Sequence, residues 1–72
     1  MIVELFNKAI NLTNTGMFGV SLDIILEHGE VIGVDIWVNV KIGYIVEEEH
    51  ISCHSLESAY AELTFLETKL NK

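Results

Sequence analysis

Phe18-Gly19-Val20-Ser21-Leu22-Asp23-Ile24-Ile25-Leu26-Glu27, then His28-Gly29, then Glu30-Val31-Ile32-Gly33-Val34-Asp35-Ile36-Trp37-Val38-Asn39-Val40-Lys41 is the stretch that decides the fold. Apolar residues occupy the even positions of both runs: Phe18, Val20, Leu22, Ile24 and Leu26, then Ile32, Val34, Ile36, Val38 and Val40. Strict period two with many β-branched residues is the pattern of a half-buried strand. To set even residues opposite even residues, an antiparallel hairpin needs a loop of odd length. A two-residue His28-Gly29 loop would place Leu26 opposite Val31 and throw the faces out of phase. A three-residue loop, Glu27-His28-Gly29, keeps the phase and ends on Gly in the left-handed position. The expected neighbours are then Ile24 with Ile32 and Leu22 with Val34.

The same reasoning gives a second loop, Lys41-Ile42-Gly43, pairing Val40 with Tyr44 and Val38 with Val46. Beyond it the alternation breaks. Glu47-Glu48-Glu49 sets charge on both faces, and Ile51 and Cys53 resume on odd positions. A bulge in the Glu run, or an early end to pairing, would account for the change. Charge of this kind is a common guard on edge strands.

Helices flank the strands. Ile2, Leu5, Phe6, Ala9, Leu12 and Thr13 share one helical face, and Asn14-Thr15-Gly16 closes that helix. Downstream, Leu56, Ala59, Tyr60, Leu63, Leu66 and Leu70 form a stripe. Ser55 is placed to cap it, Glu57 lies in its first turn, and Lys69 and Lys72 lie in its last. Phe65 points away from the stripe, beside Ala61 and Ser58. The sequence therefore predicts one α+β domain over residues 1–72, a two-layer α-β-β-β-α sandwich. Its three-stranded antiparallel meander carries both helices on the even face. Val20, Leu22, Ile24, Val34, Ile36, Val38, Leu5, Phe6, Leu56, Tyr60 and Leu63 are the expected core.

Composition excludes several functions. The 72 residues carry 11 acids against 4 lysines and no arginine, a net charge of −7. Nucleic-acid backbones are bound by cationic neutralisation of phosphates, so direct nucleic-acid binding is not expected. Half the residues are apolar and mean hydropathy is +0.38, unlike a disordered acidic tail. Met1-Ile2-Val3-Glu4-Leu5 has no basic stretch before an apolar run, so no signal peptide is expected. No apolar run is long enough to suggest a membrane span. The single Cys53 cannot form an intrachain disulfide and fits a reducing, cytoplasmic setting.

Several side-chain groups invite a chemical reading. His50, Cys53 and His54 offer three soft or borderline ligands within five residues, with Glu48 or Glu49 as a fourth, or a thiol beside a base. The plainer reading is a strand end running into a helix cap, with Cys53 buried. Asp23 and Asp35 fall on the odd sheet face as diagonal neighbours in the three-residue-loop register. No cleft is evident around them, so a solvated polar face is favoured over paired-carboxylate chemistry. Gly16 and Gly19 lack the spacing of a phosphate loop. No enzymatic activity, metal or cofactor is expected.

Two surfaces remain as candidates for binding. Trp37, Ile25, Val31 and Ile45 lie on the odd face, which the two helices leave uncovered; an apolar patch with a Trp points to self-association, with Phe65 as a further contact. The second is anionic. From Ala9 to Thr68 there are ten acids and one lysine, with Glu27 and Glu30 at one hairpin end and Glu47-Glu48-Glu49 as the densest run. Fields of this size steer encounter with a basic protein surface.

The length, the charge of −7, the absence of Arg and the Glu47-Glu48-Glu49 run resemble those of small acidic phage-encoded inhibitors of bacterial defence, the anti-CRISPR proteins and other DNA mimics. The stretch Gly43-Tyr44-Ile45-Val46 followed by Ser55-Leu56-Glu57-Ser58-Ala59 is also similar to the strand and helix start of antitoxin-like αβ domains. The first resemblance implies a viral, non-enzymatic inhibitor that occupies the nucleic-acid site of a host defence protein. The expectation is thus an acidic protein-binding module with Glu47, Glu48, Glu49, Glu27 and Glu30 toward its partner. The alternative is a small metal-binding or catalytic domain built on His50, Cys53 and His54.

Overall fold

The computed structural model describes residues 1–16 and 18–70, with Lys41, Ile42 and Leu70 described by their backbone only. The elements run α1 (Ile2–Asn14), β1 (Phe18–Glu27), β2 (Glu30–Ile42), β3 (Ile45–Cys53) and α2 (Leu56–Leu70). The strands form one antiparallel sheet in the order β1-β2-β3, so β2 is central and β1 and β3 are edges. This is the expected α-β-β-β-α arrangement, with both helices on one face.

The core lies where the stripes of α1 and α2 meet β2. Leu5, Leu12, Val34, Ile36, Val38, Ala59 and Leu63 are almost fully buried, and Ala9, Leu66 and Cys53 join them. Val20, Leu22, Leu56 and Tyr60 pack on this cluster from its rim. Ile24 is half-buried but outside it, and Phe6 does not belong to it either. It is 41% exposed, because α1 turns the Leu5-Ala9-Leu12 line inward and packs mainly on β1 and α2. Lys8 ties the helices together: its Nζ donates to Glu67 Oε2 at 3.1 Å and lies 4.9 Å from the Tyr60 ring centre.

The helix ends follow the sequence signals. Gly16 takes a φ of 80° after α1, and the Gly16 N–H donates to the Thr13 carbonyl. The Ser58 N–H donates to Ser55 Oγ at 3.1 Å, an N-cap bond worth about 1 kcal/mol. Glu57 and Lys69 sit at the ends where the helix dipole favours them. Lys72 and the Leu70 side chain, expected at the end of the stripe, lie outside the described residues.

Both hairpin loops differ from the expected ones. His28 and Gly29 alone form the first turn, with Glu27 opposite Glu30 and Leu26 opposite Val31. Both turn residues have positive φ, 53° and 79°, as a type I′ turn requires. The phase error this creates is cancelled at once: Ile32 is an extra residue on β2, and the register shifts between Ile25 and Leu26. Leu22 therefore faces Ile36 and Ile24 faces Val34, one pair further along than expected. In the second hairpin Gly43 and Tyr44 form the turn, and Val38 faces Glu49. Gly43 has a φ of 62°, as the first position of a type II′ turn needs. This even-length turn moves the odd residues of β3 to the core side, so Ile51 and Cys53 meet Ile36 and Val34 with no bulge in the Glu run.

Candidate functional site

β3 holds its ladder to β2 straight through the acidic run. Glu47, Glu48 and Glu49 face Val40, Asn39 and Val38, and all three side chains are exposed on the sheet edge. Alternation puts Glu47 and Glu49 on one face, roughly 6.8 Å apart, with Glu48 on the other. Among the described residues no cation pairs with any of the three. Glu27 and Glu30 face each other beside the first turn. Nine residue steps along β2 separate Glu30 from the partner of Glu48, roughly 30 Å of strand. The two acidic groups are separate, and Glu27 and Glu30 do not lengthen the β3 track.

The open sheet face carries a polar cluster that the expected register concealed. Asp35 lies directly opposite Asp23, not diagonal to it, and opposite Ser52 on its other side. Ser52 Oγ donates to Asp35 Oδ1 at 2.9 Å, and His50 Nε2 lies 3.1 Å from the same oxygen. These partners hold the Asp35 carboxyl below its ordinary value, the Ser52 hydrogen bond first and His50 second. The His50 ring stacks on Trp37, with centroids 4.0 Å apart. Asp23 makes no hydrogen bond or ion pair among the described residues.

This arrangement does not build the ligand set read from His50, Cys53 and His54. His50 points to the open face, whereas Cys53 is buried in the core on the other side of the sheet. Burial pushes the Cys53 thiol up, and the negative charges of Glu62 and Asp35 add to that, so it is a poor thiolate. No three His, Cys, Asp or Glu side chains among the described residues converge as a metal site would require.

Nor do the residues expected to mediate self-association form one patch. The bulge turns Val31 toward the core, where it packs half-buried. Ile45 moves with the odd residues of β3 to that same side. Phe65 is exposed on the outer side of α2, under the Lys69 ammonium at 4.8 Å from its ring centre. Trp37 and Ile25 remain on the open face, separated by the Asp23–Asp35 rung.

A further exposed apolar surface lies beside α1. Between α1 and β1 runs a groove of about 260 Å³ lined by Phe6, Ala9, Ile10, Thr13, Val20 and Leu22. Phe6 and Ile10 are each at least two-fifths exposed there. The sequence carried a signal for it: Ile10 is an apolar residue off the α1 stripe. No helix among the described residues is long and apolar enough to cross a membrane. Comparison with protein-family models, curated proteins and solved structures gave no match.

Proposed function

We propose that this chain is a non-enzymatic protein-binding module whose β3 edge docks on a basic protein surface of the kind that otherwise holds nucleic acid. The observation that carries this reading is the Glu47-Glu48-Glu49 run: three consecutive exposed carboxylates on a sheet edge, without cationic partners among the described residues. A strand holds these charges at fixed spacing, and the 6.8 Å repeat of Glu47 and Glu49 is of the order of the phosphate spacing along an extended single strand. Bound in this way, the module inhibits by competition, as the phage-encoded inhibitors it resembles in size and charge would. A reducing compartment such as the cytoplasm suits its lone thiol.

The test uses the protein and its Glu47→Gln, Glu48→Gln, Glu49→Gln triple variant as paired baits. The wild type should retain nucleic-acid-binding proteins and release nucleic acid from them. The triple variant should associate more slowly with those proteins and show a flatter dependence on salt. Equal association rates and equal salt slopes for the two baits would reduce the acidic run to a solubility device.

A further inference from the structure

The second edge of the sheet is built for a different contact. Thr13 Oγ1 accepts the Val20 N–H at 3.3 Å, which shows that the amide of Val20 points out of the sheet toward α1. In an antiparallel ladder the N–H and C=O of one residue share a side, and that side alternates along the strand. The backbone groups of Leu22 and Ile24 therefore also point outward. No backbone bond beyond the sheet is made by either residue among the described residues. Below this open edge lies the apolar groove of Phe6, Ile10, Val20 and Leu22. Above it, on the open face, stands Asp23, without a cationic partner among the described residues and directly across from a second carboxylate, Asp35.

These three features dictate one kind of guest. A strand added to β1 gains main-chain hydrogen bonds from Leu22 and Ile24. Its side chains alternate between faces, so one set enters the groove and the other stands beside Asp23. A cation opposite Asp23 is favoured and an anion is disfavoured. The geometry points to β1 and the α1 groove as a docking edge for an extended segment of a basic partner protein in which apolar residues alternate with Lys or Arg. A second copy of this chain is the poorer occupant, since each copy carries a charge of −7 and β1 itself brings Asp23 and Glu27. The inference rests on the reading of this chain as a module for basic proteins, but it uses the edge opposite the Glu run.

The probe is a synthetic octapeptide of alternating Val and Lys. Two controls accompany it: the same peptide with Glu for Lys, and a block peptide of four Val followed by four Lys. Amide exchange and chemical shifts are followed by NMR. The alternating peptide should slow exchange of the Leu22 and Ile24 amides at least tenfold and shift Phe6 and Ile10, while neither control does so. Asp23→Lys, at an exposed position, should weaken binding at least tenfold, and Ile10→Gln should weaken it on the groove side. The Glu47, Glu48, Glu49 triple Gln variant should bind as the wild type does. Its charges lie about 16 Å from Asp23, beyond the screening length of about 8 Å at physiological salt. Binding of the block peptide with equal affinity, or shifts confined to β3, would overturn the proposal as mere charge adsorption. Sedimentation as a dimer with the Leu22 and Ile24 amides already protected would assign the edge to a second copy and overturn it equally.

Discussion

β1 and β3 each leave one side of their backbone without a strand neighbour, yet the two edges carry opposite chemistry. β3 lines its edge with Glu47, Glu48 and Glu49, on both faces of the sheet. β1 offers Leu22 and Ile24 over an apolar groove, with Asp23 as the acid at their centre. A run of charges along an edge strand keeps other strands from adding to it, and an edge whose single central acid stands between apolar residues is guarded less. One edge is thus closed to β-pairing and suited to contact through charge. The other is open to pairing. The cover beneath them differs as well: α1 packs on β1, and α2 packs on β2 and β3.

The largest expected effect comes from undermining the β1 side. Leu5 is fully buried where α1 meets the core. Leu5→Ala should cost about 2–5 kcal/mol in urea unfolding, enough to leave so small a domain largely unfolded. Phe6, its neighbour in the sequence, faces the groove, and Phe6→Gln should cost about 1 kcal/mol or less. Similar losses at the two positions would show that the groove is part of the core and erase the contrast between the edges.

The turns that set the two edges come next. Gly29 and Gly43 have φ of 79° and 62°, and a Cβ on either would meet nothing within 4 Å. Only the backbone is strained by a side chain there. Gly29→Ala and Gly43→Ala should each cost about 1–2 kcal/mol. A smaller loss at Gly43 would mean that the β3 register tolerates another loop, and with it another placement of the Glu run.

A third measurement separates edge protection from stability. Replacing Glu47, Glu48 and Glu49 together by Thr keeps β propensity and lowers the net charge to about −4. Protomer stability should move by about 0.5 kcal/mol or less, as for other exposed substitutions. Light scattering at high concentration should nonetheless rise, because β3 becomes a second open edge. A variant that stays monomeric would show that the acids are not needed to close that edge.

Much of this was legible from residue order, and the rest was hidden by one ambiguity. Alternation in Val20–Leu26 and Val34–Val40 identified strands and their apolar faces, and the spacing of Leu5, Ala9, Leu12, Ala59 and Leu63 identified the helical stripes. Loop length was harder. Phase-matching of β1 to β2 demanded an odd loop, yet the chain uses the tighter His28-Gly29 turn and restores phase with the single extra residue Ile32. Period alone cannot distinguish those two solutions, because both pair even residues with even residues. The consequence was local but decisive for the surface: Asp35 moved opposite Asp23, and Val31 left the open face. For the second hairpin the signal was present. Ile51 and Cys53 resume on odd positions, which is what an even-length Gly43-Tyr44 turn produces without any bulge. Nothing in the residue order showed that Phe6 faces outward, since that depends on how far α1 rolls toward α2.

The smallest expected effect concerns the two aspartates that face each other across β1 and β2. Asp35 on the central strand is held by Ser52 and His50, and its carboxyl lies below the ordinary value of 3.8, with the Ser52 hydroxyl as the larger cause. A carboxyl whose folded pKa is depressed binds protons more readily when the chain is unfolded. Its contribution to stability is therefore complete above the ordinary range and is lost as pH falls through the lowered one. Ser52→Ala removes the larger of the two bonds and leaves His50. In an NMR titration followed at the Asp35 carboxyl carbon, the midpoint should rise toward the ordinary value, and the acid-side loss of stability should shrink with it. Neutral-pH stability should fall by the same amount that the acid-side loss shrinks, a small one because the bond is exposed. An unchanged midpoint would assign the depression to His50 alone and make the Trp37–His50–Asp35 stack, rather than the Ser52 rung, the element that holds this charge on the central strand across from Asp23 on the edge.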